Sequence, residues 1–75
     1  MKIVNDQFYN IYIYKDDHGP PHCHVRCADM TEIVVKLYTL SPLYGGKIEK
    51  DLKKILEDNI EKLLDTWDEF NPVKK

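Results

Sequence analysis

The apolar residues of this chain change their period once, at a breaker, and that change confines the fold to a sheet followed by a helix. Residues 8–14, Phe-Tyr-Asn-Ile-Tyr-Ile-Tyr, are aromatic and β-branched and predict a strand. A second strand is expected over about 22–28 and a third over about 31–40, separated only by Ala28-Asp29-Met30. So short a connection favours antiparallel neighbours, and a three-stranded meander is the simplest sheet. Ser41-Pro42-Leu43-Tyr44-Gly45-Gly46 then interrupts the pattern. Beyond it Leu52, Ile55, Leu56, Ile60, Leu63, Leu64 and Trp67 recur at the spacing of one helical face. They predict one long amphipathic helix from about Ile48 to Glu69, closed by Asn71-Pro72. With no repeat or linker, residues 1–75 form one α+β domain, the helix packed on a single face of the sheet.

Strand side chains alternate between faces, so burial of one face assigns the other. Ile11, Ile13, Cys23, Val25, Cys27, Ile33, Val35 and Leu37 can share the face that meets the helix. Leu52, Leu56, Ile60, Leu63 and Trp67 are expected to cover Ile11, Ile13, Val25 and Val35. The open face then carries Tyr12, Tyr14, His22, His24, Arg26, Glu32, Val34, Lys36 and Tyr38. Tyr12, Tyr14, Tyr38, Arg26 and Lys36 on such a surface are candidate binding residues for an anion, a base or another protein.

All three histidines fall within seven positions, in His18-Gly-Pro-Pro-His22-Cys-His24-Val25, behind Asp16-Asp17. Pro20 and Pro21 cannot continue a helix and suit an extended approach, so His22 and His24 open a strand on one of its faces. Three readings are open. His22 and His24 can present two imidazoles to one metal ion, with His18 or an acidic neighbour completing the set. Alternatively they are an acid–base pair, with His18 orienting the loop and Arg26 and Lys36 binding phosphate, as in a metal-independent ribonuclease. Finally, His18 can fix the 15–21 turn while His22 and His24 pack against Tyr12 and Tyr14, leaving the open face to bind a protein. No full ligand set is visible beyond one H-x-H pair, so no cofactor and no stoichiometric transition metal are expected. Trp67, at helical spacing from Leu63 and Leu64, reads as a core residue.

Seventy-five residues bury only about 60 % of their unfolded surface, which leaves a single small core marginally stable and favours association. Thirteen acids against eleven bases give a net charge of −2, which weighs against loose binding to a nucleic-acid backbone. RNA or a nucleotide remains possible on a locally basic face. No apolar run approaches the roughly 20 residues that span a bilayer, and Met1–Asp6 has no signal-peptide core. Cys23 and Cys27 would lie about 13 Å apart on one strand, at about 3.3 Å per residue, too far for a disulfide. Reduced thiols point to the cytoplasm. Lys47, Lys50, Lys53 and Lys54 start the helix, whereas Glu57, Asp58, Glu61, Asp65, Asp68 and Glu69 crowd its end. Both placements oppose the helix dipole, at a few tenths of a kcal/mol each, a cost that a basic partner docked at the acidic end would offset.

The H-x-P-P-H-x-H-V run, followed by a strand, a breaker and an amphipathic helix ending in L-L-x-x-W, resembles the small bacterial and archaeal family called domain of unknown function 4160. The resemblance covers about residues 8–70 and rests on His18, Pro20, Pro21, His22, His24, Val25, Leu63, Leu64 and Trp67. The family usually has an apolar or aromatic residue where this chain has Cys23. No biochemical activity is established for the family, so the resemblance implies none. Its members are often encoded beside a second small protein, of domain of unknown function 2442, in what looks like a two-gene toxin–antitoxin module. That implies a protein partner: a second copy of the chain or the product of a small neighbouring gene.

Overall fold

The computed structural model describes residues 1–15 and 19–72. Its order is β1 (Lys2–Asn5), β2 (Tyr9–Tyr12), β3 (His22–Cys27), β4 (Glu32–Lys36), β5 (Pro42–Tyr44), α1 (Lys50–Asp58) and α2 (Ile60–Phe70). The strands form one antiparallel meander in chain order, with both helices following the sheet. The α+β class and antiparallel sheet are as the sequence predicts. The sheet has five strands rather than three, however, and the single helix is two.

Each difference has a local cause. β1 is only four residues long, too short for alternation to register, yet Ile3 and Val4 pack against the core. β5 lies inside the breaker cluster. Its three residues are extended because they pair with Val34 and Val35 at the sheet edge, where Pro42 is tolerated. The chain leaves β5 through Gly45 at φ +102°, and a Cβ there would stand 2.3 Å from the Glu32 carbonyl oxygen. Only glycine fits so close to β4. The third expected strand stops at Lys36, because Leu40, at φ +53°, returns its N–H to the Lys36 carbonyl at 2.8 Å. Tyr38 therefore leaves the sheet and is 71 % exposed, so it does not belong to the face it was expected to share.

The helix breaks at Asn59. Its side-chain Nδ2 donates to the Ile55 carbonyl at 2.8 Å, the kind of local bond by which asparagine competes with the backbone ladder. The ladder resumes at once, since the Leu63 N–H donates to Asn59. Both helices therefore present their apolar residues to the same side. Leu52, Leu56, Leu63 and Trp67 are buried with Ile11, Ile13, Cys23, Val25, Ile33, Val35 and Leu37, and Ile60 is half-buried beside them. The register that pairs Ile11 with Val25, Val25 with Ile33, and Cys23 with Val35 sets these strand residues on one face. Burial pushes the Cys23 thiol up to about 12, which keeps it neutral and unreactive in the core, and both cysteines are free. No helix among the described residues is long and apolar enough to cross a membrane.

A core of this size rarely supplies more than about 3–5 kcal/mol. Leu63→Ala, which empties a fully buried site, costs about 2–5 kcal/mol. Urea titration followed by circular dichroism should find that variant largely unfolded at 25 °C, while Glu61→Ala on the exposed side unfolds within 0.5 kcal/mol of wild type, roughly.

Candidate functional site

The end of the sheet where β2 finishes and β3 begins is held by the last turn of α2. Trp67 faces the ring of His22, with centroids 5.0 Å apart. Asn71 Nδ2 donates to the Tyr14 carbonyl at 3.2 Å, and the Lys15 ammonium lies 5.7 Å from the centre of the Phe70 ring. His22 donates from Nδ1 to the Pro20 carbonyl at 2.9 Å. A carbonyl oxygen can only accept, so Nδ1 carries a proton in this bond. The proline pair thus supplies the acceptor that fixes the ring of the histidine following it.

From this anchor a run of rings leads outward. His22 and His24 are 5.2 Å apart at 61°, His24 and Tyr14 are 4.8 Å apart at 67°, and Tyr14 and Tyr12 are 6.1 Å apart and nearly parallel. Edge-to-face and offset pairs of this kind contribute about 0.5–1.5 kcal/mol each beyond burial. His24 Nδ1 stands 3.7 Å from Glu32 Oε2, across the β3–β4 pair.

The two strand histidines are not equivalent. Both were expected on the open face, but His22 is only 5 % exposed and lies between Trp67 and His24, at the first position of β3 where the helix end reaches the sheet. His24 is half-buried and stands among the open-face residues. Trp67 is a core residue, as its spacing predicts, and its contact with His22 is the part that spacing did not reveal. His18, Asp16 and Asp17, and with them the expected role in the 15–21 turn and the three-histidine metal set, lie outside the described residues. Among the described residues no group of three His, Cys, Asp or Glu side chains is arranged to hold a metal.

The face away from the helices is a cationic and aromatic surface. Lys2 pairs with Tyr12 across β1 and β2, and its ammonium lies 5.9 Å from the Tyr12 ring centre. The Arg26 guanidinium lies 5.8 Å from the same centre, so one phenol ring orders two cations. Lys36 occupies the same face two residues beyond Val34, and Val34, paired with His24, is only 1 % exposed. Among the described residues Lys2, Arg26 and Lys36 take part in no ion pair, and the one carboxylate on this face, Glu32, is engaged by His24. The candidate residues Tyr12, Tyr14, His24, Arg26 and Lys36 are therefore brought together, and Tyr38 is not. Lys2 was missed because β1 was missed. The only signal there was the β-branched pair Ile3-Val4 ahead of the aromatic strand.

The profile of the family described as Domain of unknown function (DUF4160) matches residues 9–68. The chain belongs to that family. Neither a curated protein nor a solved structure matches it significantly. In this DUF4160 domain the match begins at the first residue of β2 and ends within α2, so it takes in the ring array and Trp67, whereas Phe70 and Asn71 lie beyond it.

Separate substitutions distinguish the two histidines. His22→Ala removes a buried ring and the bond to Pro20, and should lower stability by about 1–3 kcal/mol and red-shift the Trp67 emission as water reaches the indole. His24→Ala should leave the emission unchanged and cost less. Intrinsic fluorescence during urea unfolding reads both effects.

Proposed function

We propose that this chain is one half of a small protein–protein assembly, a component of a two-gene module of the toxin–antitoxin kind, and that it meets its partner through the uncovered sheet face. The observation that carries the reading is the pair of cations held over Tyr12, with Lys36 beside them, on rigid strands and without carboxylate partners among the described residues. Ordering two long basic side chains on a ring before binding reduces the entropy lost when they meet an anion. The half-buried rings supply the apolar ground that interface centres use. The fitting partner is a protein segment that brings carboxylates onto this face. The gene arrangement common in the family favours the product of a neighbouring small gene. A core of marginal stability favours obligate association.

Cleavage of RNA by His22 and His24 has one observation in its favour, the 5.2 Å separation of their rings. Against it stands the burial of His22 beneath Trp67, which leaves only the half-buried His24 imidazole where acid–base cleavage needs two accessible ones. The cations over Tyr12 also occupy the ring that a base would stack on.

Co-expression of the tagged chain with its neighbouring gene, followed by affinity purification and sedimentation, tests the reading. The pair should co-purify, and Arg26→Glu or Lys2→Glu should weaken it about tenfold or more, whereas Lys53→Glu on the outer face of α1 should not. A second copy of the chain as the only partner would move the assembly reading to a homodimer. A strict monomer at tens of micromolar that ignores its neighbour, or one that cleaves or binds RNA in its place, overturns the proposal.

A further inference from the structure

A second concavity lies at the opposite end of the sheet, where β2 begins, β3 ends and α1 starts. It has a volume of about 540 Å³, within the roughly 300–1,000 Å³ of small-molecule sites. Cys27 and Ala28 contribute apolar surface over the buried Ile33 and Leu52, and Phe8 and Tyr9 contribute rings. Three carboxylates, Asp29, Glu49 and Asp51, line it against a single ammonium, Lys47.

We propose that this groove is a binding site for a small organic cation, an ammonium carried on an apolar or aromatic stem. This goes beyond the assembly reading, which concerns the other face of the sheet. Apolar walls take the stem, the rings attract a cation over their faces, and the carboxylates fix the charged end.

Two of the acids are held in place before any ligand arrives. Asp29 Oδ1 accepts from the Thr31 hydroxyl at 2.6 Å and from the Thr31 N–H at 3.1 Å, and these bonds hold its carboxyl below the usual range. Asp51 Oδ1 accepts from the Tyr9 hydroxyl at 3.0 Å and the Leu52 N–H at 2.8 Å. Burial of the ring, then this hydrogen bond and the charge of Asp51, push the Tyr9 phenol up to about 12, so it stays a neutral donor. Gly45 keeps the wall narrow, since any side chain there would drive the β5 exit off Glu32 and Ile33. Phe8, 54 % exposed, is a large ring left at the rim, placed by the bond from its N–H to Asp6 and by the Ala28 N–H on its carbonyl. The same charges disfavour an anion in the groove, which separates this site from the cationic face in ligand sign as well as in position.

Titration of the ¹⁵N-labelled full chain with tryptamine, and separately with indole-3-propionate as an anion of similar shape, tests the proposal. Tryptamine should shift the amides of Tyr9, Cys27, Thr31 and Leu52 saturably and bind about fivefold or more tightly than the carboxylate. Asp29→Asn combined with Asp51→Asn keeps both acceptor oxygens but removes the charge, and should bring the two ligands to parity. Lys2→Glu should change nothing here. Saturating tryptamine should also slow alkylation of Cys27 by iodoacetamide, read by peptide mass spectrometry. Equal affinity for the two probes, shifts scattered away from these residues, or no saturable shift overturns the site. The dipeptide N-acetyl-phenylalanyl-arginine amide distinguishes a free ligand from a protein side chain of the same chemistry. If it saturates the groove and tryptamine does not, the small-molecule proposal fails. None of these outcomes bears on Arg26 or Lys2, so the assembly reading stands or falls separately.

Discussion

Everything in this domain depends on the apolar face of the sheet being covered once, from one side. Ile11, Val25, Ile33 and Val35 stand in register across three strands, and Leu52, Leu56, Leu63 and Trp67 close over them. Because strand side chains alternate, that burial forces Tyr12, His24, Arg26, Val34 and Lys36 to the other side. No element among the described residues covers that side. An uncovered face is therefore a consequence of the core rather than an addition to it.

The last turn of α2 joins the two faces. Trp67 is both a core residue and the neighbour of His22, and His22 in turn touches His24, which reaches Tyr14 and the Glu32 carboxylate. Contacts of Asn71 with Tyr14 and of Phe70 with Lys15 hold the same corner. Loosening of α2 would thus disturb the ring array directly. A partner that orders the array would in turn stabilise the helix, by simple linkage. In the Pro20-Pro21-His22-Cys23-His24 run the proline carbonyl orients the buried histidine, and the buried histidine packs against the half-buried one.

The long periodic features were legible from residues alone. Alternation over Ile11–Ile13, Cys23–Cys27 and Ile33–Leu37 and the helical spacing from Leu52 to Trp67 placed the core correctly, because burial enforces both periods over many residues. What was not legible rests on contacts that sequence distance conceals. β1 and β5 exist through pairing with β2 and β4, and neither four nor three residues can display a period. The division at Asn59 is a single residue at φ −115° and ψ 11° in a stretch whose periodicity is uninterrupted. His22 lies by alternation with His24, yet its burial comes from Trp67, 45 positions away. The groove is assembled from residues 8–9, 27–33 and 45–52, a set that only the meander and the start of α1 bring together.

The central claim is that the uncovered sheet face is the working surface. Hydroxyl-radical footprinting of the chain alone and in complex with the neighbouring gene product tests it most directly. The account predicts that oxidation of Tyr14, Tyr12 and His24 falls several-fold on complex formation while Phe8, at the far groove, is unchanged. Protection confined to helix residues such as Leu64 and Phe70, with Tyr14 oxidised at the rate of the free chain, would contradict it.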